Sequence, residues 1–280
     1  MFYLLKLFIQ MKILLNKDDL NEALNNVKNL GFVPTMGSLH KGHISLIIRS
    51  KKICKKTIVS IFVNPTQFNN STDYKNYPKN LKKDLKILKK LKVNFVYIPQ
   101  KNQIYSSKNP IKIHLSRKDK ILCAKYREGH FEGVLDVMEK LTNLVNPKKI
   151  FMGKKDYQQY FLIKNYLKNK YKTSIIPCKT IRNKNKIALS SRNNHLDLNG
   201  IKKASFLSRS LIKLKRSLTK NKKIKQNLRI QMKYFEKFLK IKIEYLELRS
   251  IKNLTISNTV RDSRLFVAYY IDNVRLIDNF

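Results

Sequence analysis

Residues 33–43 read Val-Pro-Thr-Met-Gly-Ser-Leu-His-Lys-Gly-His, placing two imidazoles, two glycines and a Pro-Thr pair in one short stretch. A short apolar run precedes it and Ile44-Ser45-Leu46-Ile47-Ile48-Arg49 follows with helical character, so the stretch falls at a strand-to-helix corner. Such a corner aims the free N–H groups of a helix N-terminus, and the positive end of its dipole, at whatever binds there. That favours an anion. Gly37 and Gly42 let the backbone approach it closely. His40 and His43 are three residues apart, so their rings project from one face of a first helical turn. Two imidazoles beside a phosphate can donate hydrogen bonds to oxygens that gain charge during nucleotidyl transfer. A histidine pair in a loop has a plainer reading as ordinary polar residues; the glycines and the corner favour the chemical one.

Three later segments have similar character. Ser60-Ile61-Phe62-Val63-Asn64-Pro65-Thr66-Gln67-Phe68 reads as a buried strand stopped by Pro65, which exposes Asn64 and Gln67 in a polar loop. Phe151-Met152-Gly153-Lys154-Lys155-Asp156-Tyr157-Gln158-Gln159 again follows an apolar stretch and leads into a helix. Leu189-Ser190-Ser191-Arg192-Asn193 concentrates two hydroxyls and a guanidinium. Taken singly, Gln67 and Gln159 could be surface amides, Lys155 one lysine among many, and Ser190 to Arg192 a helix cap.

Together and in this order, the four segments resemble the pantothenate synthetase (pantoate–β-alanine ligase) family, within the superfamily whose HxGH signature is read here as His40-Lys41-Gly42-His43. The resemblance runs from about Met11 to Arg275-Leu276-Ile277-Asp278-Asn279. It implies that pantoate attacks the α-phosphate of ATP to give pantoyl adenylate and pyrophosphate, and that β-alanine then displaces AMP. It implies His43 as the acid assisting the leaving group, with His40 and Lys155 as its catalytic companions on the phosphates. Met36, Gly37, Ser38, Leu39, Lys41 and Gly42 would join the ATP site, as would Gly153, Lys154, Asp156 and Ile181. Leu189, Ser190, Ser191 and Arg192 would form a mobile phosphate-binding segment like the KMSKS loop of related adenylating enzymes. Gln67, Gln159 and Asn64 would bind pantoate and β-alanine. Mg²⁺ is implied with ATP, and a cytoplasmic homodimer is the implied setting.

Departures from the family pattern accompany this. Lys154 stands where Glu is usual, Glu128 where Pro is usual, and Lys186-Ile187 where Asp-Gly is usual before the Ser190 segment. Losing that glycine should stiffen the segment. Lys83 stands where an acidic residue is usual before Asp84, which argues against a direct protein ligand for Mg²⁺. Arg127-Glu128-Gly129-His130-Phe131 is expected to shape the site wall, and His114 and His195 to be structural.

The elements that must carry these residues alternate. A helix over 18–30 is capped by Asn16 or Asp18, strands cover 56–63 and 93–98, and a helix over 81–91 turns Leu81, Leu85, Leu88 and Leu91 inward. A helix over 133–145 and a strand over 149–152 follow. Alternation of this kind predicts an α/β fold with a doubly wound, Rossmann-like parallel sheet over residues 1–180, ligands lying beyond the carboxyl ends of its strands. Residues 181–280 are expected to form a smaller α+β lid domain: two basic helices between 204 and 240, then strands over 241–248 and 265–270.

Composition sets limits. Of 280 residues 42% are hydrophobic, with 14 Tyr and 14 Phe, which excludes a disordered chain. Cys54, Cys123 and Cys178 are odd in number and widely spaced, as buried thiols of a reducing compartment would be. A formal charge of +42 would suit a nucleic-acid binder. Lys, Asn and Ile are jointly abundant, however, and A/T-rich codons alone produce that, so no specific nucleic-acid partner is expected. Met1 to Gln10 lack the features of a secretory signal and are too short to span a membrane. Met11 resembles the family start better than Met1 does.

Overall fold

The computed structural model describes residues 11–69, 71–105, 113–220 and 223–280. Strands β1 (Lys12–Leu14), β2 (Leu30–Thr35), β3 (Lys56–Ile61), β4 (Phe95–Tyr97), β5 (Lys149–Gly153) and β6 (Ser174–Cys178) form one sheet in the order β1-β4-β3-β2-β5-β6. Every neighbouring pair is parallel. Phe32, Val33, Ile58, Val59 and Val96 are fully buried, as strands covered on both faces require. The covering helices are α1 (Lys17–Leu24), α2 (Lys41–Ile53), α3 (Ser71–Lys75), α4 (Leu81–Lys90), α5 (Lys101–Ile104), α6 (Cys123–Tyr126), α7 (His130–Val145) and α8 (Tyr157–Leu167). From β2 the chain builds outward through β3 and β4, then returns to add β5 and β6 on the other flank. The order therefore reverses between β2 and β5, which opens a crevice at their carboxyl ends.

The remainder packs α9 (Leu198–Ser217) and α10 (Ile224–Leu239) with an antiparallel sheet of β7 (Lys242–Ser250), β8 (Ser263–Ile271) and β9 (Val274–Asn279). Leu207, Leu211, Leu248, Leu265 and Val267 form its buried centre. Tyr245, Leu254, Phe266 and Ala268 instead join the cluster of Tyr157 and Tyr160, so this second layer is seated on the first.

Several boundaries differ from expectation. The first helix stops at Leu24: Asn25 leaves helical geometry, Asn26 and Asn29 take φ of 64° and 54°, and Leu30 already belongs to β2. Asn16 is its cap, its side chain accepting the Asp19 N–H at 2.8 Å. Leu81, expected inside, is 44% exposed because it opens α4, whereas Leu88 is fully buried. β6 and β9 were not anticipated; Pro177 within β6 and the charged Arg275 and Asp278 of β9 obscure their strand pattern. The three cysteines are free and buried. The reading of Met1 to Gln10 lies outside the described residues. No described helix is long and apolar enough to cross a membrane.

Candidate active site

His40 is the N-cap of α2 and His43 lies in its first turn. The His40 Nδ1 accepts the Gly42 N–H at 3.0 Å, and the His43 Nδ1 accepts the His40 N–H at 3.3 Å. The ring centroids are 4.1 Å apart. Gly42 is required here, since a Cβ would lie 2.7 Å from the His40 ring. With both Nδ1 atoms accepting, each neutral ring carries its proton on Nε2. Burial, then Lys155, pushes the His40 pKa down; burial, then the His40 charge, pushes that of His43 to about 3. In the free protein both are therefore neutral donors. An imidazolium here would face a helix N-terminus, a second ring and Lys155, with Asp156 as its one compensating charge.

The backbone N–H groups of the loop leading into α2 are committed within the protein. Asp84, on α4, accepts the N–H of Ser38 and of Leu39, each at 2.8 Å. The Gly37 N–H reaches Thr35 Oγ1 at 3.2 Å. Gly37 has φ +80°, and a Cβ would come within 3.0 Å of Asp84 Oδ2, so the turn depends on glycine. Ring N–H groups and cationic side chains add to what the helix N-terminus offers an anion.

These face a cavity of about 870 Å³ in the crevice between β2 and β5. Met36, His40, Gly42 and His43 line one side, and Gly153, Lys155, Asp156 and Gln159 another. Ile181, Leu189, Ser190, Ser191 and Arg192 line the cavity as well. Gly37, Ser38, Leu39, Lys41 and Lys154 do not line it: Leu39 is core, Lys41 is exposed, and the Ser38 and Leu39 amides are committed to Asp84. Lys155 pairs with Asp156 at 3.0 Å, and Arg192 with Asp73 of α3 at 3.0 Å. Burial raises and the Lys155 charge lowers the Asp156 pKa, with a net downward result.

Gln67 and Asn64 border the same space with different duties. Asn64 is almost wholly buried; its Oδ1 accepts from Tyr105 at 2.6 Å and from the Thr66 hydroxyl at 3.1 Å, while its Nδ2 donates to Gly133 O at 3.0 Å and Gln67 Oε1 at 3.2 Å. Asn64, expected as a substrate ligand, has no capacity left for one and orients Gln67 instead. Gln158 is likewise spent, holding the Cys123 N–H at 3.0 Å and Ile121 O at 2.7 Å. Among the described residues the side chain of its neighbour Gln159 has no hydrogen-bond partner, and Gln159 lines the cavity.

His130 forms part of the wall, as expected. Its Nδ1 lies 2.7 Å from Gln67 O and its Nε2 2.9 Å from Arg127 Nη1, so the ring donates to the carbonyl and accepts from the guanidinium. Burial, then Arg127, pushes its pKa down to about 3. His114 and His195 are exposed, His195 at the cavity rim.

Asp73, Tyr77, Arg275 and Asn279 also reach the site, and local spacing did not signal them. Asn279 Nδ2 donates to Lys154 O at 2.9 Å and Lys155 O at 2.6 Å, so the last strand braces the lysine turn. Arg182 grips Asp278 at 2.6 and 2.8 Å beside it. Only the terminal Asp-Asn pair in the sequence could have pointed there.

Comparison with known proteins bears on this site. The family model described as pantoate-beta-alanine ligase matches residues 12–280. The chain belongs to the pantoate–β-alanine ligase family. Pantothenate synthetase of Pseudothermotoga lettingae is 38% identical over 278 residues, covering 96% of this chain and 98% of that one. That of Buchnera aphidicola subsp. Acyrthosiphon pisum is 40% identical over 260 residues, covering 90% of each. The pantoate-beta-alanine ligase of Francisella tularensis, solved with β-γ ATP and β-alanine, superposes with a TM-score of 0.83 at 37% identity, over 97% of both chains.

Membership of the ligase family gives the departures a structural setting. Lys154 stays out of the cavity wall, so its added charge is peripheral to the lysine turn. Glu128 is exposed. In the segment before Ser190, the residue in left-handed geometry is Lys186, φ +66°, whereas Ile187 is buried core. The conformational demand for glycine therefore falls on Lys186, at a cost of roughly 1–2 kcal/mol for a side-chain-bearing residue.

Proposed function

We infer that this protein joins (R)-pantoate to β-alanine with ATP, through pantoyl adenylate, releasing pyrophosphate and AMP. The observation that carries this reading is the convergence on one cavity of two neutral Nε2–H donors, Lys155, Arg192 and the unpartnered Gln159 amide. Carboxylates do not condense with amines in water, because carboxylate oxygen is a poor leaving group. Adenylation replaces it with AMP. The pantoate carboxylate attacks the α-phosphorus, the bond to the bridging oxygen breaks, and pyrophosphate leaves with the electron pair. That step calls for alignment and charge stabilisation more than for a protein nucleophile. His40 and His43 donate to phosphate oxygens as charge develops, Lys155 and Arg192 neutralise it, and the amides of Gln67 and Gln159 hold pantoate. The amine of β-alanine then attacks the activated carbonyl and AMP departs.

Mg²⁺ enters with the nucleotide in this reading. Among the described residues no cluster of three His, Cys, Asp or Glu could cage a metal, and Asp84 is committed to the loop. The cavity carboxylates Asp73 and Asp156 each pair with a cation, which suits a metal held chiefly by the triphosphate, where it neutralises phosphate charge. A unit boundary near residue 180, a homodimer and a cytoplasmic setting belong to the same proposal. The test is incubation with ATP, Mg²⁺ and pantoate before β-alanine is added. Pyrophosphate is the expected product; ADP and phosphate would overturn the mechanism.

A further inference from the structure

The cations of the cavity are Lys155, Arg192, Arg275, Lys179 and Arg127. Three have carboxylate partners: Lys155 with Asp156 at 3.0 Å, Arg192 with Asp73 at 3.0 Å, and Arg275 with Glu244 at 2.6 Å. Lys179 is exposed and needs none. Arg127 is different. It is largely withdrawn from water, yet its contacts are neutral, His130 Nε2 at 2.9 Å and Gln67 O at 3.4 Å. No described carboxylate forms an ion pair with it. Burial, then the Arg192 charge, pulls its pKa down to about 10, as happens where positive charge lacks compensation. A desolvated guanidinium of this kind is costly until an anion meets its remaining N–H groups.

We propose that Arg127 anchors the carboxylate of the second substrate, β-alanine. The assignment rests on the ligase reading and adds to it the group that recognises the far end of the nucleophile. Position separates Arg127 from the imidazole pair. Besides the effect of His40 on His43, the charges that act on the pair are those of Lys155 and Asp156, whereas Arg127 hydrogen-bonds His130, whose ring is held by Gln67 O. Gln67 stands between the two regions: its side chain touches Met36, beside the histidine loop, while its carbonyl faces Arg127 and His130. An extended β-alanine spans about 4 to 5 Å from nitrogen to carboxylate, so a carboxylate held at Arg127 leaves the amine near the Gln67 side chain, where pantoate is activated. His130 orients the fork and, with its Nε2 occupied, takes no proton from the amine. The positive surroundings of Arg127, Arg192 and Arg275 favour the free amine over ammonium. In the step itself the amine nitrogen forms the C–N bond, the bond from the acyl carbon to the AMP oxygen breaks, AMP keeps that electron pair, and the surplus amine proton passes to solvent.

The full-length chain carrying Arg127→Met or Arg127→Lys tests this, with propylamine as a carboxylate-free counterpart of β-alanine. The KM for β-alanine should rise about 100-fold in Arg127→Met, the loss expected when one partner of a desolvated charge pair is removed, and less in Arg127→Lys. Pyrophosphate release from ATP and pantoate, which precedes β-alanine, should fall by a far smaller factor than the KM rises, since Arg127 reaches the pantoate side only through the Gln67 backbone. Preference for β-alanine over propylamine should collapse in the variant by the same factor as KM rises. If Arg127→Met does not fold, Arg127→Lys still reports the KM and the amine preference. Slower pyrophosphate release with an unchanged KM for β-alanine would assign Arg127 to phosphate or pantoate and overturn the proposal. Absence of pyrophosphate release by the parent would remove the ligase reading, and this assignment with it.

Discussion

Asp84 binds the backbone N–H of Leu39 at 2.8 Å and, through its other oxygen, that of Ser38 at the same distance. A carboxylate on α4 thereby sets the turn that delivers His40 to its helix. Asp84→Asn should leave one of these N–H groups facing an amide donor, costing about 1–3 kcal/mol of stability and slowing adenylation. Thermal melts and pyrophosphate release at increasing Mg²⁺ check this. Recovery of activity at high Mg²⁺ would instead mark Asp84 as a metal ligand.

His43 should act as a neutral hydrogen-bond donor. Its pKa of about 3 in the free protein predicts an NMR titration with no protonation step near neutrality and a proton on Nε2. His43→Ala should lower single-turnover pyrophosphate release about 100-fold while ATP binding changes little. A titration midpoint near the ordinary histidine value would contradict the assigned state.

The two amide residues at the cavity should separate cleanly. Gln159→Ala removes a free donor and acceptor, so pantoate binding should weaken by roughly 1–3 kcal/mol with the melting temperature and ATP binding intact. Asn64→Ala strips partners from Tyr105, Thr66 and Gly133, and should destabilise the fold as well as weaken pantoate use through Gln67. Equal losses of ATP and pantoate binding in Gln159→Ala would refute its role in pantoate recognition.

Acid should unfold this protein partly through His130. The folded ring resists protonation down to about pH 3, whereas the unfolded ring takes a proton below its ordinary value of 6.5. Stability from this group is therefore full above pH 6.5 and drains away as pH falls toward 3, reaching a loss of about 2 kcal/mol by pH 5. Urea midpoints of the parent and His130→Asn at pH 7 and pH 5 measure it. The variant should lose less stability between the two than the parent does.

Much of this was legible in local sequence. The strand-to-helix corner at Thr35 to His43, the helix after Asp156 and the apolar runs of β2, β3 and β5 announce themselves because periodicity and turn chemistry are short-range signals. From them follow the parallel sheet, the crevice at its carboxyl edge and the presence there of His40, His43, Lys155 and Arg192. The family resemblance drew on the same residues in their order.

What local sequence could not decide is which polar groups remain available once the chain has closed on itself. Asn64 and Gln67 sit in one loop, and Gln158 and Gln159 are adjacent; only packing against Tyr105, Gly133, Cys123 and Ile121 consumes the first member of each pair and leaves the second facing the cavity. The sequence marked Asp84 as a neighbour of a lost acidic residue, and the fold made it the anchor of a turn more than forty residues away. Neutral histidines, the unpaired Arg127 and the bracing of Lys155 by Asn279 arise in the same way. Hydrogen-bond capacity and desolvation belong to the assembled surroundings of a side chain, and those are fixed only when distant segments meet.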